Sequence, residues 1–228
     1  MPESALVAMS GGVDSTIAAM LAKQSGLECT GAMMTVYPGL ADGANEAQAA
    51  AKALGIPFEI YDFTAGFAQN VIAPFISEYR KGRTPNPCIE CNRRIKFGML
   101  LQKARELGKT KLVTGHYARV VPGANGDFRL LKGTDAQKDQ SYVLYTLTQK
   151  QLSCVHFPLG LYTKAHVREL AAEVGLGNAQ KRESQDICFI PDRDYAAFIS
   201  DYTGEIPEKG LFIDTEGKVL GESRGTTC

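Results

Sequence analysis

Ala5-Leu6-Val7-Ala8-Met9-Ser10-Gly11-Gly12-Val13-Asp14-Ser15 is the stretch on which the fold turns. A short apolar run meets two glycines, and a helix-like segment follows over about 13–23. That order reads as a strand, a tight turn and a helix N-terminus. Such a turn aims unpaired backbone N–H groups and the positive end of a helix dipole at one point, a place suited to phosphate. Gly11 and Gly12 let an anion approach where a Cβ would clash. Ser10 and Ser15 add hydroxyl donors. Asp14 stands out, because a carboxylate repels phosphate; it makes sense if it holds a Mg²⁺ that the phosphates share.

Outward from this turn, apolar strands alternate with helical stretches. A second strand is expected over 27–36, an alanine-rich helix over 45–54 and a third strand over 58–63. Thr64 is the expected N-cap of a helix running toward Tyr79, with a kink or break at Pro74. Alternation of this kind implies an α/β fold: a parallel sheet with helices on both faces. Ligands of such sheets sit at the carboxyl ends of the strands, where the 10–15 turn lies. Two prolines stiffen 82–92, which leads into an amphipathic helix over 92–107. A strand at 111–114 ends in Gly115-His116-Tyr117. A hairpin insertion (118–121 against 128–131) follows, then a helix after 138–141 that reaches Leu147. Thr163 caps a helix to Val174, and 194–202 reads as helical. Position 204 begins a glycine-rich, β-like composition, with a hairpin turned at 215–217. The expected organisation is therefore a main domain at 1–203 and, at 204–228, the start of a small, truncated β domain.

The 228 residues balance 25 Lys+Arg against 25 Asp+Glu, which is not the footprint of a sequence-blind nucleic-acid binder. The charge is uneven. Arg80, Lys81, Arg83, Arg93, Arg94 and Lys96 crowd one segment, with Glu90 as the only acid set against them. Such a cluster is either a phosphate grip or a solvated helix face. Hydrophobic residues make up 44% of the chain, ample for a packed core. No apolar run is long enough to cross a bilayer, and the N-terminus enters a strand without a signal-peptide pattern, so a cytoplasmic location without membrane contact is expected. In that compartment Cys88-x-x-Cys91 reads as metal-binding or redox chemistry.

The 10–15 string lacks the Gly-Lys-Ser/Thr ending of a Walker loop. It resembles the SGGxDS loop of the ATP pyrophosphatases, the PP-loop superfamily, which cleave ATP between the α and β phosphates. Further motifs follow in one order: Thr84-Pro85-Asn86-Pro87-Cys88-x-x-Cys91-Asn92 with Lys96-Phe97, then Thr114-Gly115-His116-Tyr117, then Lys138-Asp139-Gln140-Ser141-Tyr142, then Gln185-Asp186-Ile187-Cys188-Phe189-Ile190. From about residue 4 to 224 the set resembles the bacterial tRNA-specific 2-thiouridylases.

The resemblance implies a sheet of the adenine nucleotide alpha hydrolase type and ATP-dependent 2-thiolation of the wobble uridine, by adenylation of O2 and cysteine-mediated sulfur transfer. It implies an ATP site, with Mg²⁺, at Ala8, Met9, Ser10, Gly11, Gly12, Val13, Asp14 and Ser15, joined by Met34 and Gly115. Asn86, Pro87 and Cys88 would line the pocket for the target uridine; His116, Lys138, Asp139 and Gln140 would contact tRNA. Cys91 would be the attacking cysteine and Cys188 the persulfide carrier, the two ending as a disulfide. A thiol at the mouth of a helix is expected to have a lowered pKa. A persulfide sulfur-relay donor would be a partner, and the chain a monomer.

Two departures stand out. Many family members carry Asp where this chain has Cys88. The three thiols Cys88, Cys91 and Cys188 are therefore also a candidate ligand set for a 4Fe–4S cluster with one open iron. Family members also continue past the length seen here, into a small β domain and a β-barrel. Two alternatives stand beside thiolation: another ATP pyrophosphatase adenylating a small substrate, and an ATP-binding remnant without catalysis.

Overall fold

The computed structural model describes residues 3–38, 43–174, 187–205, 209–223 and 225. The expected segment around Gln185-Asp186 lies outside the described residues, as does Cys228.

Five parallel strands form the central sheet in the order β3-β2-β1-β4-β7: β1 (Ser4–Ala8), β2 (Glu28–Thr35), β3 (Phe58–Asp62), β4 (Lys111–Val113) and β7 (Val155–His156). Between β4 and β7 the chain makes the hairpin β5 (Ala118–Pro122) and β6 (Phe128–Lys132). The chain moves outward from β1 to β3, then returns to place β4 on the other side of β1. Strand order thus reverses between β1 and β4, and the crevice outside their carboxyl ends is where such a sheet receives ligands.

Alternation along β1 feeds two cores. Ala5 and Val7 face helix α1 (Val13–Gln24), helix α2 (Ala44–Ala53) and the helix Lys164–Glu173, through Ile17, Ala18, Ala47, Ala51, Val167 and Ala171. Leu6 faces the opposite layer, with Phe97, Leu100, Leu101, Ala104 and Leu112. A strand buried on both faces is the reason this stretch reads as continuously apolar. A third cluster lies beside the sheet: Phe67, Val71, Ile72, Phe75 and Ile76 pack on Ile95, Phe189, Ile190 and Ile199.

Several local expectations are corrected. Thr64 does not cap its helix; Phe63 holds the cap position, and Asp62 Oδ1 accepts from the Thr64 N–H at 2.8 Å. The helical run over 64–80 passes through Pro74 by widening into a π-helical turn, Ala68–Ile72, just before it. The next helix starts at Pro87, five residues earlier than expected, with Asn86 as cap: its side chain accepts from the Cys88 N–H at 3.1 Å. Cys88 and Cys91 are therefore helical, not loop, residues. The segment Cys91–Leu100 is π-helical and continues as Leu101–Glu106. After Gln140 there is only a short 3₁₀ turn, Ser141–Val143, instead of a helix. The Thr163 cap, the helix Tyr195–Thr203 and the tail hairpin β8 (Gly210–Ile213) with β9 (Val219–Ser223) are as expected. The tail hairpin is a separate two-stranded sheet. Among the described residues no helix is long and apolar enough to cross a membrane.

Candidate active site

The turn after β1 is built from its own side chains. Gly11 has φ +76°, the left-handed region that a side chain disfavours. The Ser10 N–H donates to Ser15 Oγ at 3.1 Å, and Ser15 Oγ donates to the Gly12 carbonyl at 2.9 Å. The Ser15 hydroxyl thus holds the turn closed. Gly12 caps α1 without a side chain, so none covers the first amides. Met9 and Val13 point into the core and offer only backbone here. Met34 lies partly buried between the second and third clusters.

The carboxylate of Asp14 is paired with a lysine. Both its oxygens accept from Lys164 Nζ at 2.7 Å, and Oδ1 also accepts from the Tyr117 hydroxyl at 2.9 Å. The Lys164 side chain is only 9% exposed. It is delivered by the first residue of its helix, whose backbone N–H donates to Asp135 Oδ2.

The loop after β4 joins two halves of the site. Gly115 lies against α1 so closely that a Cβ there would sit 3.1 Å from the Asp14 carbonyl. The next residue, His116, is buried between the rings of Phe97 and Phe157. Its Nδ1 lies 2.6 Å from Thr114 Oγ1, and its Nε2 lies 3.5 Å from Lys96 Nζ. An ammonium can only donate. Nε2 is therefore the acceptor, and Nδ1 carries the proton toward Thr114. Burial first, and Lys96 second, hold the His116 pKa well below its usual 6.5, so the ring is neutral. His116, expected to contact tRNA, is buried here and lies beside Lys96.

Lys96 also lies within electrostatic reach of the thiols. It acts electrostatically on Cys91 and Cys188, which interact with each other and with Cys88. Two chain segments nearly a hundred residues apart therefore meet. The anchor is Phe189, whose ring packs edge-on against Phe67 and Phe75, each at 5.5 Å. The π-helix supplies the other half of the geometry. On an α-helix, positions five apart point about 140° from each other. Hydrogen bonds running i→i+5 instead bring them toward one face, which suits Cys91 and Lys96.

The expected low thiol pKa is not what this environment produces. Burial pushes Cys91 up, with Cys88 adding to it and Lys96 opposing. Cys188 is exposed as a residue, yet surrounding protein desolvates its sulfur. With Cys91 and Cys88 this raises the thiol to about 11, against Lys96. Desolvation is the largest influence on both thiols. Cys88, Cys91 and Cys188 are free thiols. Among the described residues no three Cys, His, Asp or Glu side chains come together closely enough to hold a metal ion, so the three thiols as placed do not fit a cluster.

Other expected contacts are engaged within the chain. The Gln140 side chain accepts from the Tyr117 N–H at 3.0 Å. Asp139 accepts from the Gly133 N–H at 2.9 Å and from the Ser141 hydroxyl at 2.7 Å. The basic segment is also less bare than expected. Arg80 pairs with Glu205, Lys81 and Arg83 with Glu78, and Arg93 and Arg94 share Glu90.

Lys96 was visible in the sequence as a member of the basic segment and of the Cys88–Cys91 motif, and Tyr117 only as part of a motif. Lys164 had one usable signal. A cation at the first position of a helix opposes the helix dipole, and a residue placed against local preference marks a tertiary demand.

The profile of the family described as "tRNA methyl transferase HUP domain" matches residues 3–192. The chain is 48% identical to the tRNA-specific 2-thiouridylase MnmA of Geobacter metallireducens, over 97% of this chain and 64% of that protein. It is 45% identical to the tRNA-specific 2-thiouridylase MnmA of Lachnoclostridium phytofermentans, over 96% of this chain and 65% of that protein. The chain thus spans just under two thirds of the length of these relatives. Among solved structures it resembles a 4-thiouridine synthetase in complex with RNA and ATP (TM-score 0.55, 19% identity, 84% of this chain and 46% of that one). It also resembles the U34-tRNA thiolase NcsA of Methanococcus maripaludis with its [4Fe-4S] cluster (TM-score 0.53, 17% identity, 89% of this chain and 65% of that one). At these identities the structural likeness establishes the expected α/β architecture.

Proposed function

Since the chain belongs to the tRNA methyl transferase HUP domain family, we propose that it carries the catalytic machinery for ATP-dependent 2-thiolation of the wobble uridine of tRNA. One observation carries the reading. The loop 114–117 packs on the nucleotide turn through Gly115 and reaches Lys96 through His116, and Lys96 lies within electrostatic reach of Cys91 and Cys188. Activation of a base and delivery of sulfur to it need that adjacency.

In this reading the 8–15 turn, with Met34 and Gly115, holds ATP, and Asn86, Pro87 and Cys88 border the uridine, with Lys138 toward the tRNA. The cradle fits a nucleotide: the glycine turn leaves α1 amides uncovered by side chains, and Gly115 leaves no room for a Cβ. Mg²⁺ would arrive with the triphosphate. Attack of uridine O2 on the α-phosphate forms the adenylate and releases pyrophosphate. A persulfide donor protein leaves Cys188 as S–SH. The Cys91 thiolate then attacks the inner sulfur of Cys188, closing the Cys91–Cys188 disulfide and freeing hydrosulfide. Hydrosulfide adds at C2, and the O2–C2 bond breaks as AMP departs. A cellular dithiol reduces the disulfide, consistent with a cytoplasmic setting. The division near residue 204 belongs to the same proposal, with 204–228 opening a second, smaller β unit.

The test is mass spectrometry of tRNA from a thiolation-deficient strain expressing this chain. Return of 2-thiouridine, abolished by Cys91→Ser or Cys188→Ser, is the expected result. Pyrophosphate release on a small substrate that survives both substitutions would mean a different ATP pyrophosphatase. ATP binding without AMP release on any tRNA would mean a non-catalytic remnant.

A further inference from the structure

A carboxylate at an anion-binding turn is a physical puzzle, and Lys164 resolves it. Asp14 lies in the first turn of α1, the end toward which the helix amides and dipole point. Alone it would oppose any phosphate there. Both of its oxygens instead hold the Lys164 ammonium at 2.7 Å. The ammonium reaches this spot on a side chain that is 9% exposed, from a helix packed against α1 through Val167 and Ala171. Tyr117 donates to the same carboxylate at 2.9 Å. Asp14 thus keeps a hydrogen bond when the lysine moves.

We propose that Lys164 is the phosphate-contacting cation of the nucleotide turn, stored on Asp14 when no nucleotide is present. The inference rests on the nucleotide reading above and deepens it. Lysine serves phosphate as a compact charge on a flexible stem, so a small rotation carries the ammonium from carboxylate to phosphate. The exchange leaves Asp14 with Tyr117 and frees carboxylate lone pairs for the cation that accompanies the triphosphate. It would make the turn favour a nucleotide with a long phosphate tail over adenosine. The amides of α1 serve any anion, whereas a stored ammonium adds attraction that grows with phosphate charge.

The experiment is calorimetric titration of the full chain with a non-hydrolysable ATP analogue and, separately, with adenosine. Lys164→Met should weaken the analogue at least tenfold and leave adenosine within about twofold, and the dependence of analogue binding on salt should flatten. Lys164→Arg should recover part of the loss. Because Lys164→Met leaves Asp14 without its cation, the double variant Asp14→Asn with Lys164→Met is measured beside it. With the charge balance restored it should fold as the wild type and still favour the analogue over adenosine at least tenfold less than the wild type does. Wild-type binding of the analogue that persists within twofold in the double variant overturns the role of Lys164 and leaves the nucleotide reading standing. A wild-type chain that binds neither ligand overturns both.

Discussion

At the scale of single residues, the sulfur centre is governed by desolvation. Cys91 and Cys188 are both held above the ordinary thiol range by burial, and Lys96 is the cation that works against it. Thiolate is the reactive form. Alkylation of Cys188 by iodoacetamide should therefore be slow at pH 7 to 8 and climb about tenfold per pH unit toward its pKa of about 11. Removing the cation raises both thiols further. Lys96→Met is expected to slow alkylation of Cys91 and Cys188 at pH 8 by roughly threefold or more, read by intact-protein mass spectrometry. An unchanged rate would remove Lys96 from the sulfur centre. Lys96 is held by His116, whose tautomer follows from its partners. The motif that announced His116 showed a histidine beside a strand-terminal glycine. It did not show that the ring is buried between Phe97 and Phe157.

At the scale of elements, two local departures from regular helix place the chemistry. Asn86 and Pro87 start a helix early and bring Cys88 and Cys91 into its first turns. The π-helical Cys91–Leu100 then brings Cys91 and Lys96 toward a common face. Neither is announced by sequence periodicity, because a π-turn changes hydrogen-bond register without a characteristic composition. The far segment is held chiefly by Phe189, with Ile190 beside it in the same cluster. Phe189 fills a space between Phe67, Phe75 and Phe198. Phe189→Ala should cost about 3 kcal/mol, measured by urea unfolding. It should also slow formation of the Cys91–Cys188 disulfide under mild oxidation, because the segment 187–190 loses its anchor. Disulfide formation at the wild-type rate in a folded Phe189→Ala chain would show that Cys188 is positioned by something else.

At the scale of the whole molecule, stability should depend on pH through two histidines whose pKa the fold lowers. Free histidine titrates near 6.5. Folded His116 lies well below that because of burial and Lys96, and His156 is lowered by burial and Lys111. Below pH 6.5 the unfolded chain therefore binds protons that the folded chain refuses, so stability falls as pH falls. His116 alone contributes a slope of up to about 1.4 kcal/mol per pH unit, continuing down to its folded pKa. Tm should drop between pH 7.5 and 5.5. His116→Gln should flatten the slope in part, since His156 pulls in the same direction. A slope unchanged by that substitution would mean His116 is not desolvated. The strand β1, buried over Ala5, Leu6 and Val7, the glycine turn after it and the order of motifs were legible in the sequence, because apolar run length and glycine position are local properties of the chain. The pairing of Asp14 with Lys164, the seat of Lys96 between His116 and two thiols, and the internal use of Asp139 and Gln140 were decided only by tertiary structure. Each joins residues from separate segments, and which charges meet depends on how the helices dock, a matter on which local residue preferences are silent.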